Sequence, residues 1–349
     1  MPWSGLLGIG IIAWLWSDSF ASSGSSAGSA LALSLVFAVL FYVTILGHEL
    51  AHAWVARAAG YPVHSITLWV LGGYTSYERR TQSAAREGLI AAAGPATSLL
   101  IGLGCAAVAR TLETGPAAAV AAALAWTNVL LGIYNALPGL PLDGGAVLKS
   151  VVWGITSDER RATVVAAWAG RVVAVLVFVL PLALIWRAGG SPDLLTVAIA
   201  GLISAYLFAG ASDALRRARV EAKVPGLAVA RLVRPAVAVA PDTPLAEAMR
   251  MLEAAGARAL VVTDVTGRPV GLANEASVSA VPVERRPWVP VSSVSAALPS
   301  ADPIPFSASG SELVRLLQAA PAAQYLVADE AGRLVGVLVT ADVEQALTG

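Results

Sequence analysis

Two histidines and a glutamate fall at a spacing that can do chemistry: His48-Glu49-Leu50-Ala51-His52. On a helix, residues four apart share a face, so His48 and His52 can present two imidazole nitrogens to one metal ion. Glu49 points elsewhere but stays beside that ion, where a carboxylate can take a proton from an attacking water. This H-E-x-x-H pattern suits metal-assisted hydrolysis, with the histidines binding zinc and the glutamate acting as general base. The same residue types also meet by chance on soluble helices, where they face water. That alternative weighs little here, because the motif takes two of the chain's three histidines. It also ends an apolar run from Leu31 to Gly47, where ionisable groups are costly and usually functional.

A catalytic zinc needs a third protein ligand and leaves its fourth position to water. The segment Asn128 to Gly145 supplies a carboxylate, Asp143, after Asn135-Ala-Leu-Pro138-Gly-Leu-Pro141. Prolines and glycines at the end of a membrane helix free backbone groups, tolerated at that depth where protein or a water-filled cavity receives them. Asp143 is thereby expected level with the two histidines, as the third ligand; the alternative is a simple N-cap of the next helix. Asn135, on the preceding helix, could donate its amide to a developing oxyanion. Membrane asparagines also serve only to join helices, and both readings stay open.

These residues need a membrane scaffold to position them. Hydrophobic residues make up 57% of the 349 and charged ones 13%, with a mean hydropathy of +0.71, as expected of a polytopic membrane protein. Formal net charge is zero, so nothing global suggests nucleic acid as a partner. The single cysteine, Cys105, excludes an internal disulfide and a thiolate metal site. About six spans are expected: Pro2–Trp16 (short for a span), Leu31–Ala56, Ala84–Val108, Ala117–Leu137, Val164–Trp186 and Leu194–Ala211. The first is read as a membrane segment rather than a removed signal peptide, since no basic residue precedes it and the chain stays apolar. A Ser/Gly-rich loop is expected from Asp18 to Ala30. Arg171 lies near the start of the fifth span, which is expected to begin at the interface.

Orientation follows from the basic residues. Arg57, Arg79, Arg80 and Arg86, then Lys149, Arg160 and Arg161, then Arg216, Arg217 and Arg219 lie on one side, against Arg110 and Arg187 on the other. The positive-inside rule puts both termini in the cytoplasm. His48 then lies about 26 Å below Leu31 in a hydrocarbon core about 30 Å thick, near its cytoplasmic edge. The Arg-, Ala- and Val-rich composition suggests a GC-rich bacterial genome, and so a bacterial cytoplasmic membrane.

Val63 to Tyr77 holds two β-prone runs about Gly72-Gly73, a hairpin signal. Its edge could receive an extended peptide or simply lie covered. His64 opens this segment and is left out of the metal site, because a lone loop histidine is more often structural or solvated than a ligand and two histidines already fill the motif.

The tail is a separate module. Val237–Leu252, Ala259–Asp264 and Gly267–Leu272 recur as Pro305–Leu317, Ala323–Asp329 and Gly332–Leu338. Each copy reads as helix, buried strand, turn and strand.

Two resemblances cover most of the chain. Gly47 to His52, then Ala93-Gly94-Pro95-Ala96, then Asn135 through Pro138 to Pro141-Leu142-Asp143-Gly144-Gly145, resemble the site-2 protease family of intramembrane zinc metalloproteases over residues 31–220. The resemblance implies zinc on His48, His52 and Asp143, with Glu49 activating the water. It places Asn135 near the scissile carbonyl and likens the hairpin to a membrane-re-entrant β element. It implies cleavage in or near a transmembrane helix of a membrane-protein substrate, in regulated intramembrane proteolysis. An anti-sigma factor or a signal-peptide remnant is the kind of substrate the family offers. The chain departs from the family at its start, where a segment ahead of the first span is nearly absent. The tail resembles a tandem pair of CBS domains and implies ATP or another adenine nucleotide between its halves. Thr340 and Asp342 match the ribose-binding positions, whereas Asn274 to Ser277 lacks the aspartate, so one site is expected. A structural module that makes a homodimer is the alternative for the tail.

The expected fold is therefore a six-helix membrane domain with a small hairpin, residues 1–220, followed by an α/β CBS pair, residues 226–349. A CBS-gated transport protein or channel is the competing function. It has no need of Glu49 between two histidines.

Overall fold

The computed structural model describes residues 3–21, 27–69, 72–78, 83–273, 275–298 and 302–348. The chain divides into two compact units, Met1–Ala218 and Arg219–Gly349.

In the first unit, α1 (Trp3–Ala21) and α2 (Ala27–Ala58) are followed by a hairpin, β1 (Val63–Trp69) and β2 (Gly72–Tyr77). Then come α3 (Ala84–Thr111), α4 (Pro116–Asn135), α5 (Asp143–Thr156), α6 (Glu159–Arg187) and α7 (Leu194–Lys223). Five described helices, α2, α3, α4, α6 and α7, are long and apolar enough to cross a membrane, and α1 is a shorter apolar helix. The expected loop from Asp18 to Ala30 is largely helical, since α1 persists to Ala21 and α2 resumes at Ala27. Residues 22–26, and the orienting Arg79 and Arg80, lie outside the described residues.

Burial in this unit is inverted relative to a water-soluble bundle. Ala162, Ala166, Ala167 and Ala174 of α6 are fully buried, whereas Val172, Val175, Leu176, Val179 and Leu180 face outward. Small side chains let backbones approach closely, and the large apolar ones are left for lipid. The α4–α5 connection depends on this closeness: a Cβ on Gly144 would strike the Ala136 carbonyl, and one on Gly170 the Leu140 carbonyl. Leu140 N–H bonds the Ala166 carbonyl at 3.1 Å, which fixes the loop against α6. The Lys149–Glu159 pair, at 2.7 Å, ties α5 to the start of α6.

The hairpin forms where expected but with a different register. Trp69 pairs with Gly72 and Leu68 with Gly73, so both glycines belong to β2 and the connecting residues 70 and 71 lie outside the described residues. The reason is packing: a Cβ on Gly73 would collide with the Glu49 side chain.

The second unit takes in the last turn of α7 and continues with a single helical turn, α8 (Val229–Leu232). Its first half comprises β3 (Arg234–Val239), α9 (Leu245–Ala254), β4 (Ala259–Thr263), β5 (Pro269–Ala273), α10 (Glu275–Ser279) and β6 (Ser295–Ala297). The second comprises β7 (Ile304–Pro305), α11 (Gly310–Ala319), β8 (Gln324–Ala328), β9 (Leu334–Val339) and α12 (Thr340–Thr348). The seven strands run in the order β6-β5-β4-β3-β9-β8-β7. In each half the first strand pairs in parallel with the second across a helix, and the second pairs antiparallel with the third.

The repeat extends to single turns. Asp264 Oδ1 accepts from the N–H groups of Thr266 and Arg268, and Asp329 Oδ1 from those of Ala331 and Arg333. The Thr266 hydroxyl holds the Asp264 carboxyl below the usual carboxylate range, and the Arg333 N–H does the same for Asp329. Each half has its own core, about Leu245, Val262 and Val291 in one and about Leu313, Val327 and Leu338 in the other.

The inverted burial has a testable consequence. Ala166→Leu forces a larger side chain between packed backbones and is expected to destabilise the first unit by about 1–3 kcal/mol. Leu180→Ala, on the outer face, is expected to leave the thermal midpoint in detergent unchanged. Equal midpoints for both variants would contradict the packing described.

Candidate metal centre

The centre is assembled from three helices. His48 and His52 lie one turn apart on α2, both buried, and Asp143 is the first residue of α5. The N-cap of α5 is Leu142, so the Asp143 carboxylate is not used for capping. It sits at the positive end of the α5 dipole, which favours its charged form. His48 Nε2 lies 3.1 Å from Asp143 Oδ2, His52 Nε2 lies 3.3 Å from the same oxygen, and the two Nε2 atoms are 3.1 Å apart. A tetrahedral zinc with bonds of about 2.0–2.1 Å holds its ligand atoms about 3.3 Å from one another. The triangle therefore has the dimensions of one face of such a site.

The protons argue the same way. His52 Nδ1 lies 2.7 Å from the Ile90 carbonyl, an acceptor only, so this nitrogen must carry the hydrogen. In the neutral ring Nε2 then presents a lone pair to a carboxylate oxygen, an arrangement that a cation between them makes favourable. His48 Nδ1 lies 2.9 Å from Ser98 Oγ, a hydroxyl that can accept its hydrogen and so hold the ring the same way round. A group that orients each histidine from its far nitrogen is the usual second layer of a metal site. Among the described residues, His48, His52 and Asp143 are the grouping that could hold a metal ion. The donor set fits zinc.

These far-side partners come from α3. Ile90, Gly94 and Ser98 fall at intervals of four, one face of that helix. Running opposite to α2, this face sets Ser98 against His48 and Ile90 against His52. Gly94 lies between them, where a Cβ would strike both Nε2 atoms.

Glu49 is buried, and its Oε2 accepts from the Thr75 hydroxyl of β2 at 2.7 Å. One oxygen of the carboxylate is thus tied to the hairpin. Asn135 closes α4, and its amide donates to the Leu131 carbonyl at 3.2 Å. No contact among the described residues links it to the three ligand atoms. His64 lies 3.9 Å from Glu78 and is exposed, apart from the cluster. In the second unit, the Thr340 hydroxyl donates to the Ala322 carbonyl at 2.6 Å. Asp342 takes a two-point ion pair from Arg234, at 2.8 Å for each bond. Asn274 lies outside the described residues.

The lipid-facing helices and this buried cluster define a multi-pass membrane protein with a metal-dependent hydrolase centre. Residues 36–114 and 109–180 match peptidase family M50, and residues 229–282 match the CBS domain. The chain is 34% identical over 351 residues to Rip3 of Mycobacterium tuberculosis, provisionally named a zinc metalloprotease, covering 95% of this chain and 87% of that protein. A second relative, from Synechocystis and provisionally named likewise, is 29% identical over 328 residues, covering 90% and 83%. Among solved structures, the site-2 protease from Methanocaldococcus jannaschii matches at 22% identity with a TM-score of 0.43, covering 60% of this chain and 88% of that one. The chain belongs to peptidase family M50, and its enzymatic class is the site-2 type of zinc metalloprotease.

Ser98 supplies the test of the second layer. Ser98→Ala removes the bond that orients His48 and is expected to weaken zinc binding about 10–100-fold, read by competition with a chelator. Unchanged affinity would show that Ser98 contributes nothing to the centre.

Proposed function

We propose that the chain cleaves a peptide bond in or beside a transmembrane helix of a membrane-protein substrate, with zinc held by His48, His52 and Asp143 and Glu49 as general base. The observation that carries this reading is the set of 3.1–3.3 Å separations among the three ligand atoms, one residue away from a buried glutamate. When bound, zinc acts as a Lewis acid that acidifies water and polarises a carbonyl. Glu49 takes a proton from the attacking water as its oxygen bonds to the carbonyl carbon. It returns that proton to the departing amine when the C–N bond breaks. Thr75 holds one Glu49 oxygen and leaves the other for this exchange. Asn135 would have to turn its amide away from Leu131 to support the oxyanion.

A helical peptide bond is shielded and already hydrogen-bonded, so the substrate needs helix-weakening residues near the cleavage point. An anti-sigma factor and a signal-peptide remnant are the two substrate kinds that the family resemblance offers. The asymmetry of basic residues favours a bacterial cytoplasmic membrane with both termini in the cytoplasm, where water is near the centre. Glu49→Gln is expected to keep the zinc stoichiometry of the purified protein and to lower peptide hydrolysis at least about a hundredfold. His48→Ala is expected to lose zinc. Full activity in Glu49→Gln would rule out its role as base.

The domain division we propose is a protease unit over residues 1–220 and a regulatory CBS pair over residues 226–349, dimerising through the pair. An adenine nucleotide, ATP among them, binds in the second unit. A cleft of about 490 Å³ there is lined by Arg231, Arg234, Arg258 and Asp342. Its arginines suit phosphate, and Asp342 suits ribose once released from Arg234, with Thr340 beside it on α12. Titration calorimetry with ATP and AMP tests this. Asp342→Ala is expected to lower affinity about tenfold, as loss of a charged hydrogen bond does, and absence of heat for both nucleotides in the parent protein would reject the site.

A further inference from the structure

A cation outside the metal centre has no counter-charge among the described residues. Arg171 lies inside the apolar part of α6, and its guanidinium carbon is 4.7 Å from the Trp168 ring centre and 5.0 Å from that of Phe208. Its Nη2 donates to Ser212 Oγ at 3.1 Å, while its Nε is sealed from solvent without an acceptor. No carboxylate among the described residues pairs with it. Beside it runs an apolar groove of about 360 Å³, walled by Trp168, Val172, Val175, Leu176 and Phe208. These wall residues face outward, on the surface this bundle gives to lipid.

We propose that this groove binds one anionic phospholipid, its acyl chain against Val172, Val175 and Leu176 and its headgroup phosphate on Arg171. Charge complementarity carries the assignment. A guanidinium presents five N–H donors in a fixed fork that matches a phosphate, and an unneutralised cation on a membrane helix is costly. The aromatic pair lies within cation–π distance of the guanidinium, and aromatic rings are favoured at headgroup depth. A zwitterionic lipid brings its own ammonium near the arginine, whereas an anionic one leaves its phosphate uncompensated. The groove backs onto the metal unit: Gly170 packs on Leu140, and a Cβ on Gly210 would lie 2.6 Å from Pro141. The lipid would therefore brace, from outside, the loop that carries Asp143. The proposal does not depend on the zinc chemistry.

Native mass spectrometry of the whole protein in mild detergent tests it, with phosphatidylglycerol against phosphatidylcholine. The parent protein is expected to retain the glycerol lipid with a preference of about fivefold, the size expected of one basic residue at an anionic surface. Arg171→Gln is expected to bring the ratio to about one with zinc content unchanged, and millimolar inorganic phosphate is expected not to displace the lipid. Should Arg171→Gln fail to fold, Val175→Trp, which fills the groove and keeps the charge, is expected to lose the lipid as well. Equal retention of both lipids by the parent, undiminished preference in the variant that folds, or displacement by phosphate would overturn the assignment.

Discussion

Two imidazole nitrogens and a carboxylate oxygen held 3.1–3.3 Å apart have the spacing of ligands around one cation. Much of the first unit serves to hold them there. The antiparallel face of α3 fixes each imidazole from behind, through Ser98 and the Ile90 carbonyl. The nested start of α5, made by glycines that admit no side chain, delivers the carboxylate. Inside a hydrocarbon slab no water would correct a misplaced polar group, so each far-side nitrogen needs a protein partner.

The sequence makes some of this readable and hides the rest, for identifiable reasons. His48, Glu49 and His52 stand out because local helical periodicity alone fixes their faces and because charge is rare in an apolar run. Asp143 is readable through the proline and glycine break before it. Ser98 and Thr75 are not, because their roles depend on how α2 meets α3 and β2, a register no local pattern encodes. The signal that could have found Ser98 is its place four residues after Gly94, on the face where small residues let helices touch. Gly72 and Gly73 read as a turn, yet they lie in a strand, and at Gly73 the demand for glycine comes from the Glu49 side chain rather than from backbone curvature.

The second unit teaches the converse. Its repeat is legible down to the matching Asp264 and Asp329 turns, since each half folds on local strand-helix-strand rules. Thr340 and Asp342 are chosen by motif, but the partner that occupies Asp342 is Arg234, 108 residues upstream on the other half. A ligand site read from one half therefore misses the competitor supplied by its twin. The arrangement makes the Arg234–Asp342 pair part of the cleft's energetics, whatever enters it.

Thr75 has one hydroxyl hydrogen and two acceptors within reach, Glu49 Oε2 at 2.7 Å and the Glu49 backbone carbonyl at 3.1 Å. The hydrogen is shared between them, with the shorter contact to the carboxylate. A small rotation of a single side chain thus decides how firmly the carboxylate is pinned to the hairpin. Whatever tugs the strand bearing Thr75, even slightly, re-aims the glutamate without moving any metal ligand.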